Sequence, residues 1–204
     1  MHHTCATILL ATTMLMLPAC ERAGTQANQT DLSDAGWVHV DLESLSAAQA
    51  TRREQAITAR DQLAQTLKGE LVSAITSEGP VHAIDVCHTR APEIAAEVAL
   101  SNGVQIGRTS HKMRNAENTA PVWMQPVVDE QDPTPHAFAD GEGTLAFAYP
   151  IILEGACIVC HGSNEQVRAP VREAIDQRYP DDRATGFAPG DLRGWFWVQV
   201  PPEN

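Results

Sequence analysis

Lysine and arginine are scarce, 14 against 26 aspartates and glutamates, for a formal net charge of −12 over 204 residues. A chain this acidic is no candidate for nucleic acid, because phosphate contacts need a basic surface. Aromatic residues make up only 5%, so Trp37, Trp123, Trp195 and Trp197 stand out. No internal repeat is present, which excludes solenoid architectures. No apolar run reaches the ~20 residues that span a bilayer. Phosphate-binding loops, Ser-His-Asp sets and paired-carboxylate motifs are missing too. With 43% hydrophobic residues the chain is nevertheless no disordered acidic tail. Its length fits one domain with a leader and a linker.

The uncharged, mostly apolar stretch 4–19 is followed at once by polar residues, the outline of a secretory signal. Leu17-Pro18-Ala19-Cys20 is similar to a bacterial lipoprotein box. The expected layout is a lipoprotein-type signal over 1–19, lipidation at Cys20, a flexible tether over 20–36 and one domain over 37–204. This places the protein in the periplasm, tethered to a membrane only through a lipid anchor at Cys20.

Within the domain, Leu63, Leu67, Leu71 and Ile75 recur every four residues. They predict a long helix capped at Ser44 or Ser46 and stopped by Gly79-Pro80. A short apolar stretch over 81–86 precedes Cys87. Pro92 fits the first turn of a second helix that ends at Asn102-Gly103. Residues 104–110 and 144–153 predict strands, 115–135 a long loop and 165–179 a short helix. In GWFWVQV (194–200) the alternation puts Trp195, Trp197 and Gln199 on one face of a last strand. Helices mixed with short, non-repeating strands predict an α+β domain with an antiparallel sheet.

Five cysteines are present. Cys157-Ile158-Val159-Cys160-His161 is C-x-x-C-H, the attachment signature of c-type haem. Its spacing lets two thiols reach the two vinyl groups of one haem, while the adjacent imidazole meets the iron. Such attachment takes place outside the cytoplasm, in agreement with the leader. The alternatives are a redox dithiol, a disulfide, and half a zinc site completed by His88 and His111. A single haem held by His161 leaves a sixth position, for which the candidates are Cys87, His88, His111, Met113, Met124 and His136. Cys87 is the one thiol the domain has left over. Arg90, Arg108, Lys112 and Arg114 form a basic cluster suited to haem propionates or to a thiolate.

Four blocks carry a resemblance. They are Asp85-Val86-Cys87-His88, Ala91-Pro92-Glu93-Ile94-Ala95, Arg108 to Asn115 with Asn118, and Gly186 to Gly194. With C-x-x-C-H among them in order, they resemble a family of c-type haem domains with a PAS-like fold. That family was long catalogued as a domain of unknown function and occurs alone or as the sensor part of histidine kinases. The likeness covers most of 45–200. One departure is Ala116, where the family usually has proline. The resemblance implies a PAS-like antiparallel sheet flanked by helices, with a long N-terminal helix, and one covalent haem c. It further implies His161 and Cys87 as iron ligands; of the basic cluster, Arg108 and Arg114 are the expected cofactor contacts. The implied function is electron transfer or redox response without catalysis. A haem-based redox or gas sensor is the alternative, and a peroxidase-type enzyme the remote one. The redox or signalling partner is not named by the sequence.

Overall fold

The computed structural model describes residues 36–202. The leader, Cys20 and all of the tether but Gly36 lie outside the described residues. Five antiparallel strands form one sheet: β1 (Trp37–Val40), β2 (Gln105–Thr109), β3 (His136–Asp140), β4 (Leu145–Ile152) and β5 (Leu192–Val200). Their order is β1-β3-β4-β5-β2. Helices flank the sheet, and the architecture is the α+β arrangement expected, consistent with a PAS-like fold.

Helix α1 (Ala47–Ser77) starts at Ser46. The Ser46 hydroxyl accepts from Gln49 N, and the Gln49 side chain accepts from Ser46 N, a reciprocal capping box that satisfies two free donors. At ~1.5 Å per residue the helix is roughly 46 Å long. Its middle, Ala56, Ala59, Leu63 and Leu67, packs on Phe147, Tyr149, Phe196, Val198 and Val200 of the sheet. Farther along, Leu71 packs half-buried against the same core and Ile75 is partly exposed.

Helix α2 (Pro80–Asn102) corrects the reading of 81–100. The apolar stretch 81–86 is helical, and Pro92 lies inside the helix. Pro92 offers no N–H to the His88 carbonyl, an omission that costs about 3 kcal/mol in a helix interior. Continuous burial outweighs it. Ala83 and Val86 pack on α1, Ile84 packs on α5 (Ala169–Arg178), and Ala91, Ile94 and Val98 pack on the sheet.

On the opposite sheet face, the expected loop 115–135 contains a 3-10 turn (Val122–Met124) and helix α3 (Gln125–Glu130). These bring Trp123, Met124 and Val127 onto Phe138, Ala146, Ala148 and Trp195. The two faces of β5 divide as its alternation predicts, with Trp195 here and Phe196 and Val198 beneath the helices. Gly107 pairs with Trp197 across β2 and β5. A Cβ at position 107 would stand 2.4 Å from the indole, so only glycine lets the ring lie flat there.

Candidate functional site

Cys157 and Cys160 frame a single turn. A 3-10 segment (Gly155–Cys157) runs directly into the one-turn helix α4 (Ile158–His161). Cysteines three apart in such a turn lie on one side of it. Cys157 is exposed, while Cys160 packs beside Ile84 and Tyr179. Burial pushes the Cys160 thiol up to about 11. The two sulfurs are not joined to each other.

The segment 182–187 fastens this turn from behind. Gly186 N donates to the Gly162 carbonyl at 2.8 Å, and Phe187 N donates to the His161 carbonyl at 2.9 Å. The imidazole Nδ1 of His161 lies 2.7 Å from the Ala184 carbonyl oxygen. A carbonyl only accepts, so Nδ1 carries the proton and Nε2 is left as a free lone pair. Burial holds the imidazolium form far below its usual range, and the cations Arg114, Arg193 and Arg108 add to that. His161 is therefore neutral, the state that ligates metals.

His161 borders two adjoining hollows of ≈ 200 and ≈ 110 Å³. They lie between the helix-facing side of the sheet, α1 and α2. Both hollows share Arg108, Arg114, Asn118 and Arg193. The larger also meets Leu67, Met113, Cys157 and Phe196. The smaller meets Cys87, Ala91, Pro92 and Tyr179. Thus Cys87 and His161 face one hollow from different elements. Burial pushes the Cys87 thiol up, while Arg108, Arg114 and Arg193 pull it down.

The remaining sixth-ligand candidates separate by position. Met113 lines the larger hollow with His161. His88 is exposed, with its ring edge-on to Tyr179 at 5.3 Å. The His111 ring lies edge-on to Phe187, 5.9 Å between ring centres, and borders neither hollow. Met124 is fully buried in the opposite core. His136 pairs with Asp132 at 3.3 Å, also on that side. Among the described residues no three His, Cys, Asp or Glu side chains gather where they hold a metal ion. His88 and His111, which the zinc alternative needs, do not join the two cysteines in such a cluster.

The basic cluster breaks up. Arg90 pairs with Glu70 and Glu93 on the outer face of α2 and does not line the cleft. Lys112 lies over the Phe187 ring at 4.9 Å. Arg114 is buried and braces the attachment turn. It donates to Asp182 from Nε and Nη2, both at 3.2 Å, and to the carbonyls of Cys160 at 2.7 Å and Ala184 at 3.3 Å. Arg108 faces the cleft from β2.

Arg193 enters the site without having been singled out in the sequence. Gly194 lets strand β2 close in, since a Cβ at 194 would stand 2.2 Å from the Thr109 carbonyl. Ser110 Oγ then donates to the Arg193 carbonyl at 2.7 Å. The only hint lay in the block Gly186 to Gly194. An arginine next to a strand otherwise reads as surface charge. Trp195 and Trp197 do not border the hollows and pack on the opposite side of the sheet.

Comparison with known proteins agrees on one group. A family model described as Tll0287-like matches residues 40–201. The crystal structure of the cyanobacterial heme-protein Tll0287 superposes with a TM-score of 0.59 at 27% identity, covering 76% of this chain and 97% of that one. No curated protein matches the chain.

Proposed function

Because the chain belongs to the Tll0287-like family, we propose that it is a haem protein whose porphyrin occupies the cleft between α1, α2 and the sheet. Its finer description is an extracytoplasmic monohaem c-type cytochrome in electron transfer or redox response. The observation that carries this reading is the His161 imidazole, turned with Nδ1 2.7 Å from the Ala184 carbonyl, at the border of the same hollow as Cys87. The residues fit the group: two thiols on one turn, a nitrogen donor, a sulfur donor and a cationic wall.

In this proposal Cys157 and Cys160 would hold the porphyrin covalently as two thioethers, each thiol adding its sulfur and its hydrogen across one vinyl group. His161 through Nε2 and Cys87 through its sulfur would hold the iron. Bound haem supplies a one-electron iron couple there. A thiolate at Cys87 donates charge and favours the ferric state, while Arg108, Arg114 and Arg193 temper it. With both donors engaged the group would serve electron transfer, and turnover of a substrate is not proposed. A leader over 1–19, lipidation at Cys20 and a periplasmic location complete the proposal. Among the described residues no helix is long and apolar enough to cross a membrane. A second reading, a redox or gas sensor acting through a separate protein, is favoured by the PAS-like sheet.

Mass spectrometry of protein matured in a bacterial envelope tests the attachment. The expected result is the added mass of one tetrapyrrole, lost when Cys157 and Cys160 are both replaced by alanine. Bare polypeptide from a maturation-competent host contradicts it.

A further inference from the structure

The side chains lining the two hollows include three arginines and no carboxylate. One positive charge is matched, because Asp182 engages Arg114 through both of its oxygens. The other two have no such match. Arg193 donates from Nη1 to the Lys112 carbonyl at 3.2 Å, and its guanidinium lies over Phe187 at 5.5 Å. Its Nε is buried without a partner. Among the described residues the Arg108 guanidinium has no hydrogen bond or ion pair; the groups acting on its charge are the Cys87 thiol and the Tyr179 hydroxyl. A cation drawn partly out of water without a paired counter-charge is costly, more so than a neutral polar group. Both guanidiniums are half-buried, and although Asp182 acts on the charge of Arg193 from a distance, no carboxylate forms an ion pair with either one.

Resting on the haem reading, we propose that Arg108 and Arg193 form a two-pronged carboxylate clamp. The clamp takes the two propionates of the porphyrin, while Arg114 is committed to the protein. The pair is matched in number: two unpaired cations face a ligand with two carboxylates. Arginine suits the task because its planar fork presents two donors to one carboxylate. Burial and mutual repulsion bring Arg193 down to about 10, which marks a cation waiting for an anion.

The test separates carboxylate recognition from haem binding as such. Full-length protein made without haem attachment is titrated, under reducing conditions, with iron mesoporphyrin IX and with its dimethyl ester. The ethyl groups of mesoporphyrin cannot take up thiols, so binding remains reversible. The clamp predicts that the diacid binds at least about tenfold tighter than the diester, as expected for loss of charge-assisted hydrogen bonds. The preference should fall towards parity in Arg108→Gln/Arg193→Gln and return in part in the doubly Lys-substituted protein. Arg90→Gln, outside the cleft, should keep it. Circular dichroism checks that each variant is folded. Equal binding of diacid and diester by the wild type overturns the clamp and leaves the haem reading standing. Binding of neither overturns both.

Discussion

The ring of His161 and the carbonyl of Ala184 are joined at 2.7 Å, and that contact decides which nitrogen of the imidazole can meet a metal. The carbonyl is itself held. Arg114 donates to it, and Asp182 accepts from Ala184 N at 2.9 Å. The orientation of the His161 ring thus depends on an ion pair between two side chains that never touch it.

Asp182→Asn should therefore be among the most damaging single changes outside the ligands. It leaves Arg114 buried with no counter-charge. Breaking one half of a buried pair costs about 3–5 kcal/mol. For a domain of this size that is a fall in Tm of roughly 6–20 °C, measurable by thermal denaturation. A change of only a degree or two would mean that the pair does not brace the turn.

Gly107→Ala tests the packing of the last strand. The added Cβ would meet the Trp197 ring at 2.4 Å. The indole has to move, at a cost of about 1–3 kcal/mol. Denaturant unfolding should register the loss, together with a change in tryptophan emission. An unchanged midpoint would show that the sheet edge yields without strain.

Stability should decline as pH falls below neutrality. Burial, the largest cause, holds His136 below its ordinary value of 6.5 despite Asp132; burial and the nearby Lys112 and Arg193 do the same for His111. The unfolded chain takes up these protons near 6.5 and the folded one only at lower pH. Stability is thus complete above that value and is lost as pH drops through it. Melting at pH 7.5 and 5.5 should show the loss, and His136→Asn should lessen it. An identical pH slope in the variant would contradict this assignment.

Arg108→Met should act in opposite directions with and without cofactor. In protein lacking the porphyrin, removing a half-buried cation that has no ion pair should stabilise the fold, by about 1 kcal/mol at most. In the haem-loaded protein the same change removes a partner of a carboxylate and should lower Tm. Destabilisation of both forms would assign Arg108 to packing alone.

Much of this was legible in the chain because it rests on local chemistry. The Ser46 cap and the four-residue spacing of Leu63 and Leu67 define α1, and the alternation of Trp195 to Val200 defines β5. The attachment motif is contiguous. Elsewhere the information is non-local. WVHV and HAFAD are too short and mixed to read as β1 and β3, since pairing with each other and with β4 makes them strands. Pro92 suggested a helix start because its cost is local while the compensating burial along α2 comes from three different partners. Arg90 was grouped with Arg108 by charge alone, though neighbouring glutamates claim it. Arg193 joins the cleft only through the approach of β2 to Gly194.

Whether iron is held between His161 and Cys87, as proposed, is decided by electron paramagnetic resonance of the oxidised, haem-loaded protein. Expected is a low-spin ferric signal of thiolate character in the wild type, lost or converted to another ligand set in Cys87→Ala while the covalent mass of the tetrapyrrole is retained. A Cys87→Ala signal indistinguishable from that of the wild type would contradict the proposal.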